Sequence, residues 1–237
     1  MISPNINKKD YKKVIEAYCD LIFLLDRKYP KNSAITFVAN RYNLKTAFRN
    51  ILNRAAVSEI EVQTIQSHLV RDSKSLQGKD LYIDTYNQLI TFFCLMNNDP
   101  LIICRDGVLR DIFSSIHIKK DLKVERNLIL PYIRSLIEIQ PKNLYFYFDS
   151  QISHSKIHAN MFKDLLIELN IEGICEVHKA VDWALKSKRE GIVLSHDSII
   201  LQRAPRCFDF LLWFLNLNYP NSFSQLISFN FSIVNCS

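Results

Sequence analysis

Three aspartates stand behind short apolar runs: Asp84 after Leu81-Tyr82-Ile83, Asp149 after Tyr145-Phe146-Tyr147-Phe148, and Asp197 after Ile192-Val193-Leu194-Ser195-His196. A fourth run, Leu101-Ile102-Ile103-Cys104, leads through Arg105 to Asp106, with Asp111 five residues further on. If these runs are strands of one open sheet, their carboxyl ends border the crevice in which such sheets bind ligands. Carboxylates brought together there repel one another unless a cation neutralises them, and hard oxygen donors select Mg²⁺ or Mn²⁺ over zinc. The spacing therefore predicts a metal site of Asp84, Asp149, Asp197 and Asp106, with Asp111 as a further catalytic acid. Phosphodiester hydrolysis is the chemistry that suits such a site, because the cation activates water while basic side chains hold the nucleic-acid backbone. Helix capping competes for each aspartate taken singly, but four at separate strand ends favour a site.

Polar neighbours extend the pattern. Asn87, three residues after Asp84, suits a hydrogen bond to that carboxylate or to a phosphate. Ser153 and Ser155, in the loop after Asp149, suit either a phosphate or the cap of the next helix. Lys45 and Arg49 lie four apart and would share one helix face; with Arg110 they complete the residues expected to contact nucleic acid. His154, His158 and His196 fall near the crevice and read as surface residues.

The elements that must position these residues follow from periodicity. Residues 11–25 place Val14, Ile15, Tyr18, Leu21, Ile22 and Leu25 on one helical stripe. A second helix over 34–42 and a third over 46–56, with Phe48, Ile51 and Leu52 facing inward, make a helix-turn-helix-like module over 1–66. The polar stretch 67–79 reads as a linker. From residue 80 the pattern changes to strands at 81–83, 101–104, 144–148, 174–177 and 192–194, alternating with helices at 86–96, 121–139, 156–169 and 179–186. That alternation predicts an α/β fold, a doubly wound parallel sheet flanked by helices, over 80–215. Residues 198–215 read as one terminal helix, and the apolar, Asn/Ser-rich tail 216–237 has no assigned structure.

Composition limits the classes. Apolar residues make up 48% of 237, with four Gly and seven Pro, which excludes a disordered or fibrous chain. Met1 to Lys13 is polar, and no apolar run is long enough to cross a bilayer, so a cytoplasmic protein without membrane contact is expected. The six cysteines are scattered without a C-x-x-C pair and read as reduced core residues. A net charge of +6 suits a polyanionic partner.

Leu81-Tyr82-Ile83-Asp84-Thr85-Tyr86-Asn87 resembles the opening strand and Asp-x-x-Asn turn of PIN and NYN nuclease domains, and Val193-Leu194-Ser195-His196-Asp197-Ser198 resembles their later strand with its terminal aspartate. From about Tyr18 to Leu215 the chain also resembles a prokaryotic, chiefly archaeal, family that joins a small helical module to a PIN-like domain. Matching segments include Phe37-Val38-Ala39-Asn40-Arg41-Tyr42-Asn43-Leu44, Asp106-Gly107-Val108-Leu109-Arg110-Asp111, Asp149-Ser150-Gln151-Ile152-Ser153-His154-Ser155 and Arg203-Ala204-Pro205-Arg206-Cys207-Phe208-Asp209. The resemblance implies a PIN-like sheet and Mg²⁺- or Mn²⁺-dependent ribonuclease chemistry. PIN enzymes also place an acid within a central helix, a part open to Asp106, Asp111 or Glu125. The expectation is a metal-dependent nuclease acting on RNA more than DNA. The alternatives are a nucleic-acid-binding or regulatory module without catalysis, and a small-substrate phosphatase using Asp149, which lacks an acid at Gln151; a homo-oligomer is compatible with each.

Overall fold

The computed structural model describes residues 8–112, 124–221 and 226–236. Four helices come first: α1 (Lys8–Asp26), α2 (Lys31–Arg41), α3 (Thr46–Ala55) and α4 (Glu59–His68). The last of these was not read from the sequence, although its signal is there. Ser58 Oγ accepts from the Glu61 amide while the Ser58 amide donates to Glu61 Oε2 at 2.7 Å, a capping box that starts the helix.

The α/β part follows as β1 (Asp80–Asp84), α5 (Thr85–Met96), β2 (Leu101–Ile103), β3 (Leu109–Asp111), α6 (Arg126–Ile137), β4 (Asn143–Asp149), α7 (Ser155–Glu168), β5 (Gly173–His178), α8 (Val181–Lys186), β6 (Ile192–Leu194), α9 (Ser198–Leu201), α10 (Phe210–Asn218) and β7 (Ile227–Asn230). The expected helix over 121–139 is seen from Arg126; residues 121–123 lie outside the described residues. The expected single helix over 198–215 is two, α9 and α10. Between them Cys207 bridges to Leu69 and Val193, which puts that stretch in extended pairing instead.

The main sheet is wholly parallel and runs β5-β4-β1-β6. Counted among themselves these strands lie in the order third, second, first, fourth, so the winding reverses between β1 and β6. Alternation sends Leu81, Ile83, Phe146 and Phe148 into one core with α5, α6 and α7, while Tyr82, Tyr145, Tyr147 and Val193 face α8 and α9. Helices thus cover both faces, as a parallel sheet requires.

One predicted strand does not join that sheet. β2 forms a hairpin with β3 and pairs in parallel with β7, giving a separate three-stranded sheet. Ile102 of this sheet and the flanking Cys104 and Ile112, with Phe229 and Phe231 from the tail, pack into the core of the helical module against Tyr18, Ile51 and Leu52. The stretch 67–79 is also tied in: Leu76 is buried, and the Val70 amide donates to the Cys207 carbonyl. The cysteine expectation needs correcting for two of six, since Cys19 and Cys236 form a disulfide between α1 and the tail. Cys94, Cys104, Cys175 and Cys207 are free thiols. No described helix is long and apolar enough to cross a membrane.

Candidate functional site

The reversal between β1 and β6 makes their carboxyl ends the topological switch point, where open α/β sheets bind ligands. Asp84 ends β1, and Ser195 follows β6 beside it in register. Ser195 Oγ donates to Asp84 Oδ2 at 2.9 Å and accepts from the Asp197 amide at 3.1 Å. Asn87 Oδ1 accepts from the His196 amide at 2.7 Å. The Asp84-Thr85-Tyr86-Asn87 turn and the Ser195-His196-Asp197 turn are therefore fastened together by side chains from both.

The aspartates divide by what their carboxylates do. Asp84 occupies the N-cap position of α5 yet makes no side-chain capping bond; its carboxylate turns to Ser195. Asp197 does cap, accepting from the Ile199 amide at 2.7 Å and the Ile200 amide at 3.2 Å. Asp149 accepts from the Gln151 amide at 2.8 Å, closing an Asx turn. All three stand at the same edge of the sheet on the ends of β1, β4 and the β6 loop. Among the described residues, however, no three His, Cys, Asp or Glu side chains are gathered so as to hold one metal ion.

Asp106, Asp111 and Arg110 have different roles from those expected. Asp106 is fully buried, and its two oxygens take Arg110 Nη1 at 2.8 Å and Nη2 at 2.6 Å. Burial alone would lower the Arg110 pKa, but the Asp106 charge reverses this and raises it above its ordinary value. Arg110 is 2% exposed and has no surface to offer a phosphate; its Nε donates to the His196 carbonyl at 2.7 Å. Asp111, also buried, takes Arg54 Nη2 at 2.8 Å and the Thr91 hydroxyl at 3.2 Å. Both acids lie in the β2–β3 hairpin, so their ion pairs brace the hairpin against its surroundings. Glu125 stands at the N-cap position of α6 and is exposed.

His196 is likewise no surface residue. Its fully buried ring lies 3.3 Å from Thr91 Oγ1, 3.2 Å from Gln88 Nε2 and 3.4 Å from Asp209 Oδ1. Asp209 also accepts from the Leu109 and Leu212 amides. Thr91, Gln88 and Asp209 were not singled out from the sequence; the only signal was Thr91 and Gln88 falling on the buried stripe of a helix where apolar residues are usual. Among the described residues, the Gln88 Oε1, Asp111 Oδ1 and Tyr132 hydroxyl are buried without a hydrogen-bond partner. Burial, reinforced by the charge of Asp84, pushes the Tyr132 phenol far above its ordinary range.

On the Asp149 side, the Tyr86 hydroxyl lies 2.8 Å from His158 Nδ1. Burial first, and then Asp149, raise the Tyr86 phenol, while burial and the neighbouring His154 lower His158. His158 is buried and His154 exposed. Ser153 is exposed, whereas Ser155 is buried in the first turn of α7, and neither caps that helix, whose N-cap position is His154. In the helical module Lys45 is exposed at the N-cap position of α3. Arg49 is partly occupied in holding the α2–α3 turn, through Leu44 O at 3.0 Å and Asn40 Oδ1 at 3.1 Å.

Two family models match the chain. Residues 73–212 match a domain of unknown function, DUF5616, and residues 13–68 match a protein of unknown function, DUF434. A relative from Methanocaldococcus jannaschii, the uncharacterized protein MJ0935, is 28% identical over 183 residues, covering 77% of this chain and 86% of the relative. No solved structure matches.

Proposed function

Because the chain belongs to the DUF5616 family, for which no function is given, we propose one from the site itself: a Mg²⁺- or Mn²⁺-dependent nuclease of PIN-like type, acting on RNA in preference to DNA, with Asp84 as its anchoring ligand. The observation that carries this is the Asp84 carboxylate, which stands at the switch point and turns away from the helix it could cap. Mg²⁺ keeps several waters and needs only one or two carboxylates plus substrate phosphates. Asp84, with Asp149 and Asp197 on the same edge, therefore fits in donor chemistry without an all-protein cage. When bound, the cation supplies an activated water and stabilises charge on the phosphate.

The chain's own residues do the rest. Ser195 fixes the Asp84 carboxylate through its Oγ, as outer hydrogen bonds orient metal ligands. The Asn87 carboxamide spends its oxygen on the His196 amide, so its Nδ2 hydrogens are available to donate to a phosphate. The N-terminus of α5, which follows directly on the carboxyl end of β1, favours an anion. Exposed lysines such as Lys45 and the net charge of +6 attract the polyanion.

A second reading, nucleic-acid binding without cleavage, is favoured by one observation: no three acidic or imidazole groups among the described residues are gathered for a metal. One experiment separates the two. The parent and Asp84→Asn are melted with and without Mn²⁺ and incubated with labelled single-stranded RNA at rising salt. The nuclease reading expects a parent midpoint raised by about 5–10 °C when Mn²⁺ is roughly a hundredfold above its Kd, with cleavage abolished in the variant. Salt-sensitive binding without Mn²⁺-dependent cleavage supports the second reading; no binding at any salt overturns both.

A further inference from the structure

The segment between β4 and α7 ends in His154-Ser155-Lys156-Ile157-His158, two histidines four residues apart. His154 stands at the N-cap position of α7 with φ 63, in the left-handed region, and His158 lies one turn on. Their ring centres are 6.4 Å apart. His158 is 8% exposed, and its orientation is fixed on one side: Nδ1 meets the Tyr86 hydroxyl at 2.8 Å, and the two rings meet edge to face. Nε2 is left as the second nitrogen, with no hydrogen bond among the described residues.

We propose that His154 and His158 form a metal site of their own, for a borderline divalent ion such as Zn²⁺, Ni²⁺ or Co²⁺, separate from the Asp84 site. Three features carry the inference. The ring centres of the N-cap His154 and the first-turn His158 stand 6.4 Å apart, close enough for a side-chain rotation of His154 to bring both imidazoles to one ion. Imidazole nitrogen suits these metals, while carboxylate and water suit Mg²⁺ and Mn²⁺. A partner on the non-ligating ring nitrogen is the usual companion of a metal-bound histidine, fixing its tautomer and direction; Tyr86 occupies that position.

The geometry needs only a small adjustment. With metal–nitrogen bonds of about 2.0–2.1 Å, two imidazoles on one tetrahedral ion have ring centres roughly 5 Å apart. Closing from 6.4 Å falls to the exposed His154, whose side chain can rotate, while Tyr86 keeps His158 still. Binding exchanges two waters on the ion for two neutral imidazoles, so no charge beyond the ion's own is buried. The remaining positions stay with water, which makes this an open site beside the Asp149 turn. The positive end of α7 opposes a cation and keeps the affinity moderate.

The test is titration of the untagged full chain with Ni²⁺ and with Co²⁺, by calorimetry and visible absorption, in a Cys175→Ser background that removes the free thiol left partly exposed. The histidine site is expected to take one ion per chain, identified as the binding that falls at least tenfold in His154→Gln and in His158→Gln and about tenfold in Tyr86→Phe. His154→Gln alters an exposed side chain and so reports on binding without risk to the fold. Asp84→Asn is expected to leave Ni²⁺ binding unchanged while altering the Mn²⁺ response, which keeps this inference distinguishable from the nuclease reading. Absence of binding, Ni²⁺ affinity that ignores both histidine variants, or cobalt–thiolate absorption in the titration overturns the site.

Discussion

Asp106→Ala tests whether the hairpin acid is structural. The Asp106–Arg110 pair is bidentate at 2.8 and 2.6 Å, with side chains 0% and 3% exposed. Removing the carboxylate leaves a buried guanidinium without its counter-charge, which costs about 3–5 kcal/mol. The Val108 amide, which donates to Asp106 Oδ1 at 3.1 Å, loses its acceptor for about 1 kcal/mol more. Against a typical total of about 5–15 kcal/mol this is a large fraction. For a chain of this size it lowers the midpoint by roughly 10–20 °C. Calorimetric melts of the single variant are compared with Asp106→Ala/Arg110→Met, which removes both charges and should recover more than half the loss. A single-variant loss below about 1 kcal/mol, or a double variant no better than the single, would refute the reasoning.

Gly191→Ala should destabilise by about 1–3 kcal/mol, since φ is +81 and the new Cβ would sit 2.5 Å from the Asp80 carbonyl oxygen and 2.6 Å from the Tyr82 ring. Gly78→Ala, with φ +66 and nothing within 4 Å, should lose only the conformational part, about 1 kcal/mol; urea midpoints at unchanged m-value report both. Burial alone would raise the Asp26 pKa, but hydrogen bonds from Arg105 and from the Glu59 amide lower it below 3.8. A depressed carboxyl contributes stability above its unfolded pKa and loses it as pH falls through the folded value. Asp26→Asn should therefore be the less stable protein at pH 6, with the gap to the parent closing below about pH 4. A gap that stays constant through the acid range would show that the Asp26 charge contributes nothing.

Much of the framework was legible because it is local. The four strands of the main sheet are apolar runs bounded by polar turns, and β6 falls on 192–194 as its pattern predicts. Strand-helix alternation then implied parallel pairing and a shared carboxyl edge, which is how Asp84 and Ser195 come together. What periodicity could not carry was partnership. Leu101-Ile102-Ile103 reads identically whether it enters the main sheet or a hairpin; Gly107, at φ +76 in the intervening turn, was the available sign. Asp106 and Asp111 resemble strand-end ligands until their arginines are seen, because a carboxylate's type says nothing of whether a guanidinium is waiting for it. Cys19 and Cys236 are 217 residues apart, beyond any spacing rule. Ser58 and Glu61, by contrast, carry a local S-x-x-E signature for α4, a helix absent from the sequence expectations.

The tail that closes the helical core also sets a timetable for folding. Phe229 and Phe231 fill space beside Tyr18, Ile51 and Leu52, and Tyr11 stacks on Phe229 at 4.8 Å. When the first four helices emerge from the ribosome, these partners have yet to be synthesised. At about 5–20 residues per second the wait is roughly ten to thirty-five seconds. Throughout it the nascent helices carry an uncovered apolar face, a substrate for chaperones that hold exposed hydrophobic surface. The N-terminal module is thus made first and finished last, and the joining of Cys19 to Cys236 in a disulfide, which needs an external oxidant to take up its two electrons, can mark its completion but cannot begin it.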